Sequence, residues 1–139
     1  MGRLIGIDHG TRRIGVALGD SETGMAFPRP AVAAGDGALD AIRALAHDES
    51  AERVVVGLPL NMDGSEGRQA ALARAFGARL EALGLDVAFC DERLTSWEAS
   101  DRLAESGQRQ IAADSIDSAA AALILEQYFA DRRRHPEEP

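Results

Sequence analysis

Three acidic residues of the sequence stand where carboxylates could do chemistry. Asp8 closes an apolar strand, Glu92 follows the last predicted strand, and Asp117 lies in the first turn of the last predicted helix. A carboxylate at the end of a buried strand is costly unless a metal ion, a positive partner or backbone N–H groups satisfy it. The three acids are therefore candidate metal ligands and catalytic residues.

The residue types define the metal and the reaction. Converging carboxylates repel one another unless a divalent cation neutralises them. Without a supporting Cys or a metal-spaced His pair, carboxylates favour Mg²⁺ or Mn²⁺. One or two such ions, about 3.5–4 Å apart when paired, activate water and stabilise the leaving oxygen in phosphodiester cleavage.

Each acid also has an interpretation that needs no metal. The first could accept hydrogen bonds from the turn that follows it. The second could pair with Arg93 or Arg53 at a solvated strand end. The third could favour a helix N-terminus electrostatically, with Asp114 as the N-cap. The metal hypothesis depends on a fold that brings the three acids together.

The elements that would position the acids follow the order β-β-β-α-β-α-β-α-α. The predicted strands are 3–9, 13–19, 26–33, 53–58 and 85–90, and the predicted helices are 37–48, 66–83, 96–106 and 115–131. Three antiparallel strands followed by strand–helix alternation predict an α/β fold with a mixed five-stranded sheet and helices on both faces, the ribonuclease H-like arrangement. We expect a single domain over residues 1–131 and a frayed tail over 132–139.

The first strand of this sheet is expected to be central, with the later parallel strands added beside it. Pro28 and Pro30 limit the third strand to an edge. The apolar run 53–58 predicts a parallel strand covered on both faces. The carboxyl ends of the parallel strands would then meet at the end of the first strand, where sites gather in such sheets.

The opening hairpin has one side suited to close approach. Its second strand alternates large and small residues, and the small side carries Gly15, Ala17 and Gly19. That side leaves room for another element or a ligand. His9, which follows Asp8, points to the opposite face of its strand or into the turn.

Composition indicates a small protein with an aliphatic core. The 139 residues are 45% hydrophobic and 4% aromatic, so the core must consist of Ala, Leu, Ile and Val. In the helix 66–83, the residues spaced for one buried face are Leu72, Phe76, Leu80 and Leu83. No leader or membrane-spanning run is expected, and the single cysteine fits a reducing compartment. We expect a cytoplasmic protein with no membrane partner.

The charge balance argues against a broad nucleic-acid-binding surface. The formal net charge is −8, and all 15 basic residues are arginine. A dedicated nucleic-acid binder usually carries a basic face. Arginine suits bidentate phosphate contacts, so any contact with nucleic acid should be local and helped by a metal or a partner.

The segment 57–64 follows the central strand and precedes a helix. Gly57 and Gly64 permit close backbone approach, and we assign them, with Asn61, to substrate binding. A helix N-terminus at 65–66 could receive a phosphate. The alternative is a turn made of good turn residues.

Four motifs occur in chain order across about residues 3–130. They are DHGTRRIGVA from Asp8, GLPLNMDG from Gly57, DERLTS from Asp91 and DSAA from Asp117. With them the sequence resembles the YqgF family, also called RuvX, of pre-16S rRNA nucleases, which are relatives of the Holliday junction resolvases.

The resemblance implies a ribonuclease H-like fold and a cytoplasmic nuclease that trims the 5′ end of precursor small-subunit ribosomal RNA. It implies that the acidic triad of the family corresponds to Asp8, Glu92 and Asp117. It also implies phosphate contacts for Arg13 and Arg93. Ribosome-assembly or transcription factors are possible partners.

Three other functions stay open. One is a non-catalytic RNA-binding module of ribosome maturation or transcription. Another is resolution of branched DNA, although the central strand here ends in Gly57-Leu58-Pro59 without an acid, unlike the junction resolvases. The last is phosphotransfer, since Asp-x-Gly-Thr resembles the first phosphate loop of actin-like and sugar kinases, which need two such domains. Oligomeric state is left undetermined.

Overall fold

The computed structural model describes residues 2–91 and 113–134, with side chains in the second range from Ser118 to Arg132. The strands are β1 (Arg3–His9), β2 (Arg13–Asp20), β3 (Met25–Ala33), β4 (Ala51–Leu58) and β5 (Val87–Asp91). The helices are α1 (Ala38–Asp48), α2 (Arg68–Ala82) and α3 (Ala113–Arg134). The predicted helix 96–106 lies outside the described residues.

The five strands form one mixed sheet in the order β3-β2-β1-β4-β5. β2 is antiparallel to both β1 and β3, whereas β4 is parallel to both β1 and β5. The α/β class, the central β1, the edge position of β3 and the mixed five-stranded sheet are confirmed. In the described part of the chain, no helix has the length and apolar character needed to span a membrane.

Helices cover both faces of the sheet. Side chains alternate between the faces along each strand, and both faces carry apolar residues that must be buried. One core lies under α1 and α2 and includes Ile5, Ile7, Ile42, Phe76 and Leu80. The other lies under α3 and includes Leu4, Ala17, Val55, Ile124 and Leu125. The small side of β2 therefore receives a helix, which is the close approach that its alternation predicts.

Helix α2 differs from the prediction in its start and its face. It begins at Arg68 with Gly67 as the N-cap, because Leu60 and Glu66 form an antiparallel bridge that extends the preceding loop. The predicted N-terminus at 65–66 is therefore wrong. Leu72 is 36% exposed, so its predicted burial is also wrong.

The buried face of α2 consists mainly of small residues. It carries Ala70, Ala73, Phe76, Gly77 and Leu80. A Cβ atom on Gly77 would stand 2.6 Å from Cζ of Phe89, so the helix packs too closely on β5 for a larger residue there. The leucine spacing misled because alanine and glycine, not leucine, make the closest contacts.

At the amino-terminal edge of β4, Arg53 joins the sheet to two neighbouring elements. It donates hydrogen bonds to the hydroxyl of Tyr128 at 2.6 Å and to Asp86 at 2.9 Å. These two bonds raise the pKa of Arg53 above its ordinary value. The alternative pairing of Arg53 with Glu92 stays a prediction, because Glu92 lies outside the described residues.

Candidate active site

Asp8 lies at the carboxyl end of β1, on the face that α3 covers. It pairs with Gly15 of β2. Gly6 and Leu4, two and four residues earlier in β1, lie on the same face of the sheet. Leu58 at the end of β4 pairs with Asp91 at the end of β5. The carboxyl ends of the three parallel strands therefore lie side by side at one end of the sheet, as the prediction requires. This end is called the edge below and is distinct from the edge strand β3.

Helix α3 runs antiparallel to β1, and its packing defines the direction. Phe129 and Leu125 lie over Gly19, which pairs with Leu4 near the start of β1. Ala121 lies over Gly6, further along the strand. The N-terminal end of α3 is consequently the end that reaches the edge of the sheet occupied by Asp8.

Ser118 sets the register of this end of α3. Its hydroxyl accepts a hydrogen bond from the N–H of Val16 at 3.3 Å, and the side chain is 1% exposed. The register of β2 against β3 shifts between Ile14 and Val16. A bulge releases a backbone group from the ladder, and Ser118 satisfies it. We did not predict this role; a lone hydroxyl before a run of alanines was the available signal.

The hydrogen bond between Val16 and Ser118 also defines the position of the backbone of Asp117. Val16 pairs with Ile7, the residue before Asp8, and Asp117 precedes Ser118 in the helix. Ala113 and Asp114 are already helical, so the predicted N-cap at Asp114 is wrong. The side chain of Asp117, and all of Glu92 and Arg93, lie outside what the structure describes.

The donor chemistry at this edge fits a hard divalent cation. Asp8 supplies carboxylate oxygens here, and Asp117 belongs to α3, whose N-terminal end reaches the same edge. Oxygen donors of this kind suit Mg²⁺ or Mn²⁺. Among residues whose side chains are described, no three His, Cys, Asp or Glu form a group able to hold a metal.

Arg13 begins β2 at the same edge and is exposed. The turn before it is tight, because a Cβ atom on Gly10 would collide with the carbonyl oxygen of Arg13. The N–H of Ala34 donates to the carbonyl of Arg12 at 2.9 Å, which ties the turn to the end of β3. The arginines of this turn therefore project from a fixed backbone.

The segment 57–64 divides into a buried and an exposed part. Gly57 is buried inside β4 and pairs with Cys90, on the face that also carries Asp8. Asn61 is exposed and donates a hydrogen bond to the hydroxyl of Ser65 at 3.0 Å. Gly64 has φ of 88°, which explains a glycine at that position of the turn.

The exposed part is a loop from Leu60 to Glu66 that side-chain hydrogen bonds hold in place. Asp63 accepts hydrogen bonds from the hydroxyl of Ser65 at 2.6 Å and from its N–H at 2.9 Å. These bonds lower the pKa of Asp63. Glu66 is held by Arg74 of α2 through two hydrogen bonds, at 2.6 and 2.7 Å. The turn interpretation accounts for these polar residues, and the loop stands preformed beside the edge.

His9 points to the face opposite Asp8, as one of the two predicted orientations requires. Its ring lies 4.9 Å from that of Phe76 in α2. Its Nδ1 atom is buried and has no hydrogen-bond partner among the described residues. Burial lowers the pKa of His9 from its ordinary value, so the neutral imidazole is favoured.

The sheet order and the helices on both faces define a protein with the ribonuclease H-like fold. Solved structures agree in fold. RuvC of Thermus thermophilus in complex with a Holliday junction substrate has a TM-score of 0.55 at 15% identity, with 96% of each chain covered. The large terminase nuclease of the thermophilic phage G20c has a TM-score of 0.54 at 15% identity, covering 86% of this chain and 80% of that one.

Sequence comparison identifies the family. The model of the RuvX family, described as Holliday junction resolvase, matches residues 2–131, and the chain belongs to this family. A relative from Escherichia coli strain SE11, named "Putative pre-16S rRNA nuclease", is 45% identical over 132 residues, which are 92% of this chain and 96% of the relative. A relative of the same name from Opitutus terrae is 46% identical over 142 residues, with 99% and 97% covered.

Proposed function

We propose that this protein is a nuclease that depends on Mg²⁺ or Mn²⁺, hydrolyses phosphodiester bonds in RNA and processes the 5′ end of pre-16S rRNA. Family membership and the names of the curated relatives support this function. We further propose that the protein acts in the cytoplasm as one domain. Ribosome-assembly or transcription factors are its proposed partners.

The observation that carries the site assignment is the register of α3 on the hairpin. The hydrogen bond from Val16 to Ser118 supports a position of Asp117 close to Asp8. We assign Asp8, Glu92 and Asp117 as metal ligands and catalytic residues. When bound, the metal would lower the pKa of a water and stabilise the leaving oxygen. Arg13 and Arg93 would contact the phosphates beside the cut.

The carboxyl end of β4 and the segment that joins it to α2 would lie along the substrate. We propose that the backbone at Gly57 and Gly64 and the amide of Asn61 contribute to substrate binding. The bracing of Asn61 by Ser65 supports a preformed surface, which loses little conformational entropy on binding.

Cleavage assays on single substitutions test the assignment. A precursor rRNA fragment is incubated with Mn²⁺ and the parent, Asp8→Asn, Glu92→Gln or Asp117→Asn, and Asp48→Asn serves as an exposed control acid in α1. We expect the three site variants to lose at least a hundredfold in rate and the control to match the parent. Site variants that cut as fast as the parent would refute the assignment.

Two further measurements separate the other functions. Calorimetry with Mn²⁺ should detect binding by the parent; absence of both binding and cleavage would favour the non-catalytic RNA-binding module. A four-way DNA junction offered beside the RNA should be cut more slowly. Faster cleavage of the junction would favour the resolvase function instead.

A further inference from the structure

Most arginines whose side chains are described have an acidic or aromatic partner. The partners are Glu49 for Arg3 and Arg29, Asp40 for Arg43, Asp86 for Arg53, Glu66 for Arg74, and the ring of Tyr128 for Arg132. In a chain with 23 acidic and 15 basic residues, partners are plentiful. Within the described side chains, an exposed arginine without such a partner is therefore informative.

Arg12 and Arg68 are two exposed arginines for which no partner is found among the described side chains, those of residues 2–91 and 118–132. Arg12 lies in the turn between β1 and β2, and Arg68 is the first residue of α2, after the loop that leaves β4. Because β1 lies between β2 and β4, the two arginines lie near the carboxyl end of β1, with Arg68 on the helix that covers the sheet face opposite Asp8.

The position of Arg68 opposes the electrostatics of its own helix. A positive charge at a helix N-terminus is unfavourable, whereas an acid there is favourable. The first turn of α2 contains no acidic residue, and Gly67 provides no side-chain cap. Arg68 thus gains nothing from α2 that would explain its charge.

Arg79 provides the internal comparison. It lies in the last turn of the same helix, where positive charge is favourable, and it is also exposed without a partner among the described residues. Since α2 runs back along the sheet between two parallel strands, Arg79 lies at the opposite edge. Helix electrostatics therefore account for the charge of Arg79 and not for that of Arg68.

We propose that Arg12 and Arg68 bind phosphates of a single-stranded RNA substrate on the two sides of the β1 end, so that the strand crosses the edge beside Asp8. The tie between Arg12 and Ala34 holds one arginine on a fixed turn, and α2 holds the other. Among the described side chains, neither arginine has an ion pair that must break when it binds the anion. This proposal rests on the proposed nuclease function.

Salt-dependent binding tests the pair. A fluorescein-labelled single-stranded RNA of 16 nucleotides is titrated with the full chain in EDTA, between 50 and 200 mM KCl, so that no cleavage occurs. The slope of log K against log salt is negative, and each lost phosphate contact should make it less steep by about 0.7. We expect this loss for Arg12→Gln and for Arg68→Gln, about 1.4 for the double variant, and none for Arg79→Gln or Arg68→Lys.

Several outcomes would refute the proposal that Arg12 and Arg68 bind phosphates of RNA. They are absence of RNA binding by the parent, an unchanged slope in the double variant, or an equal loss in Arg79→Gln, which would mean a general charge effect. Thermal unfolding adds a second readout. Arg68→Gln should unfold at a slightly higher temperature than the parent because it relieves the helix terminus, and a lower temperature would assign Arg68 a structural role instead.

The two proposals fail in different ways. If Asp8→Asn cleaves normally while the slopes change as expected, the catalytic assignment fails and the phosphate pair stands. If Asp8→Asn is inactive while the slopes do not change, the phosphate pair fails and the catalytic assignment stands.

Discussion

Gly6 lies directly beneath Ala121: a Cβ atom on Gly6 would stand 2.6 Å from the carbonyl oxygen of Ala121. This contact brings the backbone of α3 onto the central strand, two residues before Asp8. Asp117 lies one helical turn before Ala121. The closeness of strand and helix at Gly6 is therefore a condition for joining the two acids in one site.

Gly6→Ala should destabilise the protein by about 1–3 kcal/mol, because overpacking against backbone cannot be relieved by a rotamer change. Gly19→Ala is the matched control. Its added Cβ would stand 3.0 Å from side-chain atoms of Leu125 and Phe129, which can move. Urea unfolding measures both, and an equal loss in the two variants would contradict the backbone contact.

Ser118→Ala should cost about 1–3 kcal/mol, because it leaves the buried N–H of Val16 without an acceptor. Ser21→Ala is the control, since Ser21 accepts from the N–H of Gly2 at 3.0 Å in an exposed setting. The control should lose less than 1 kcal/mol in urea unfolding. Calorimetry should also show weaker Mn²⁺ binding for Ser118→Ala, and unaltered affinity would mean that Ser118 does not position the site.

His9→Phe should raise the free energy of unfolding by about 1 kcal/mol, because it keeps a ring against Phe76 and removes a buried nitrogen without a partner. His47→Phe is the control. His47 is exposed in the last turn of α1, where a ring gains no core contact. A loss of stability in His9→Phe would indicate that Nδ1 has a partner after all.

The Leu60–Glu66 loop should loosen in acid. Hydrogen bonds from Ser65 lower the pKa of Asp63 in the folded loop. The bracing is therefore complete above the ordinary pKa of aspartate, which is 3.8, and is lost as the pH falls through the lower folded value. The NMR shift of the Ser65 amide should follow this titration. Asp63→Asn, which cannot titrate, should abolish the dependence; an identical titration in that variant would exclude Asp63 as the cause.

Local pattern predicted most of the sheet. Strand alternation and proline positions defined β1, β2 and β3, and the run of valines identified β4, since burial dictates these patterns residue by residue. The hydrophobic pattern predicted the wrong buried face for α2, because such a pattern gives leucine more weight than alanine. Leu72 fits the leucine spacing, but the helix lies too close to β5 for that face to be the buried one.

The sequence by itself determined the class of the fold and the family and predicted the three acids as a set, because strand periodicity and the four motifs are local properties of the chain. Only the tertiary structure decided which way α3 runs over β1, which hydroxyl anchors it, and which of the described arginines pair with acidic or aromatic side chains. These depend on contacts between residues distant in the sequence, such as Val16 and Ser118, which are 102 positions apart. Such contacts arise from packing of the whole chain, and no local pattern encodes them.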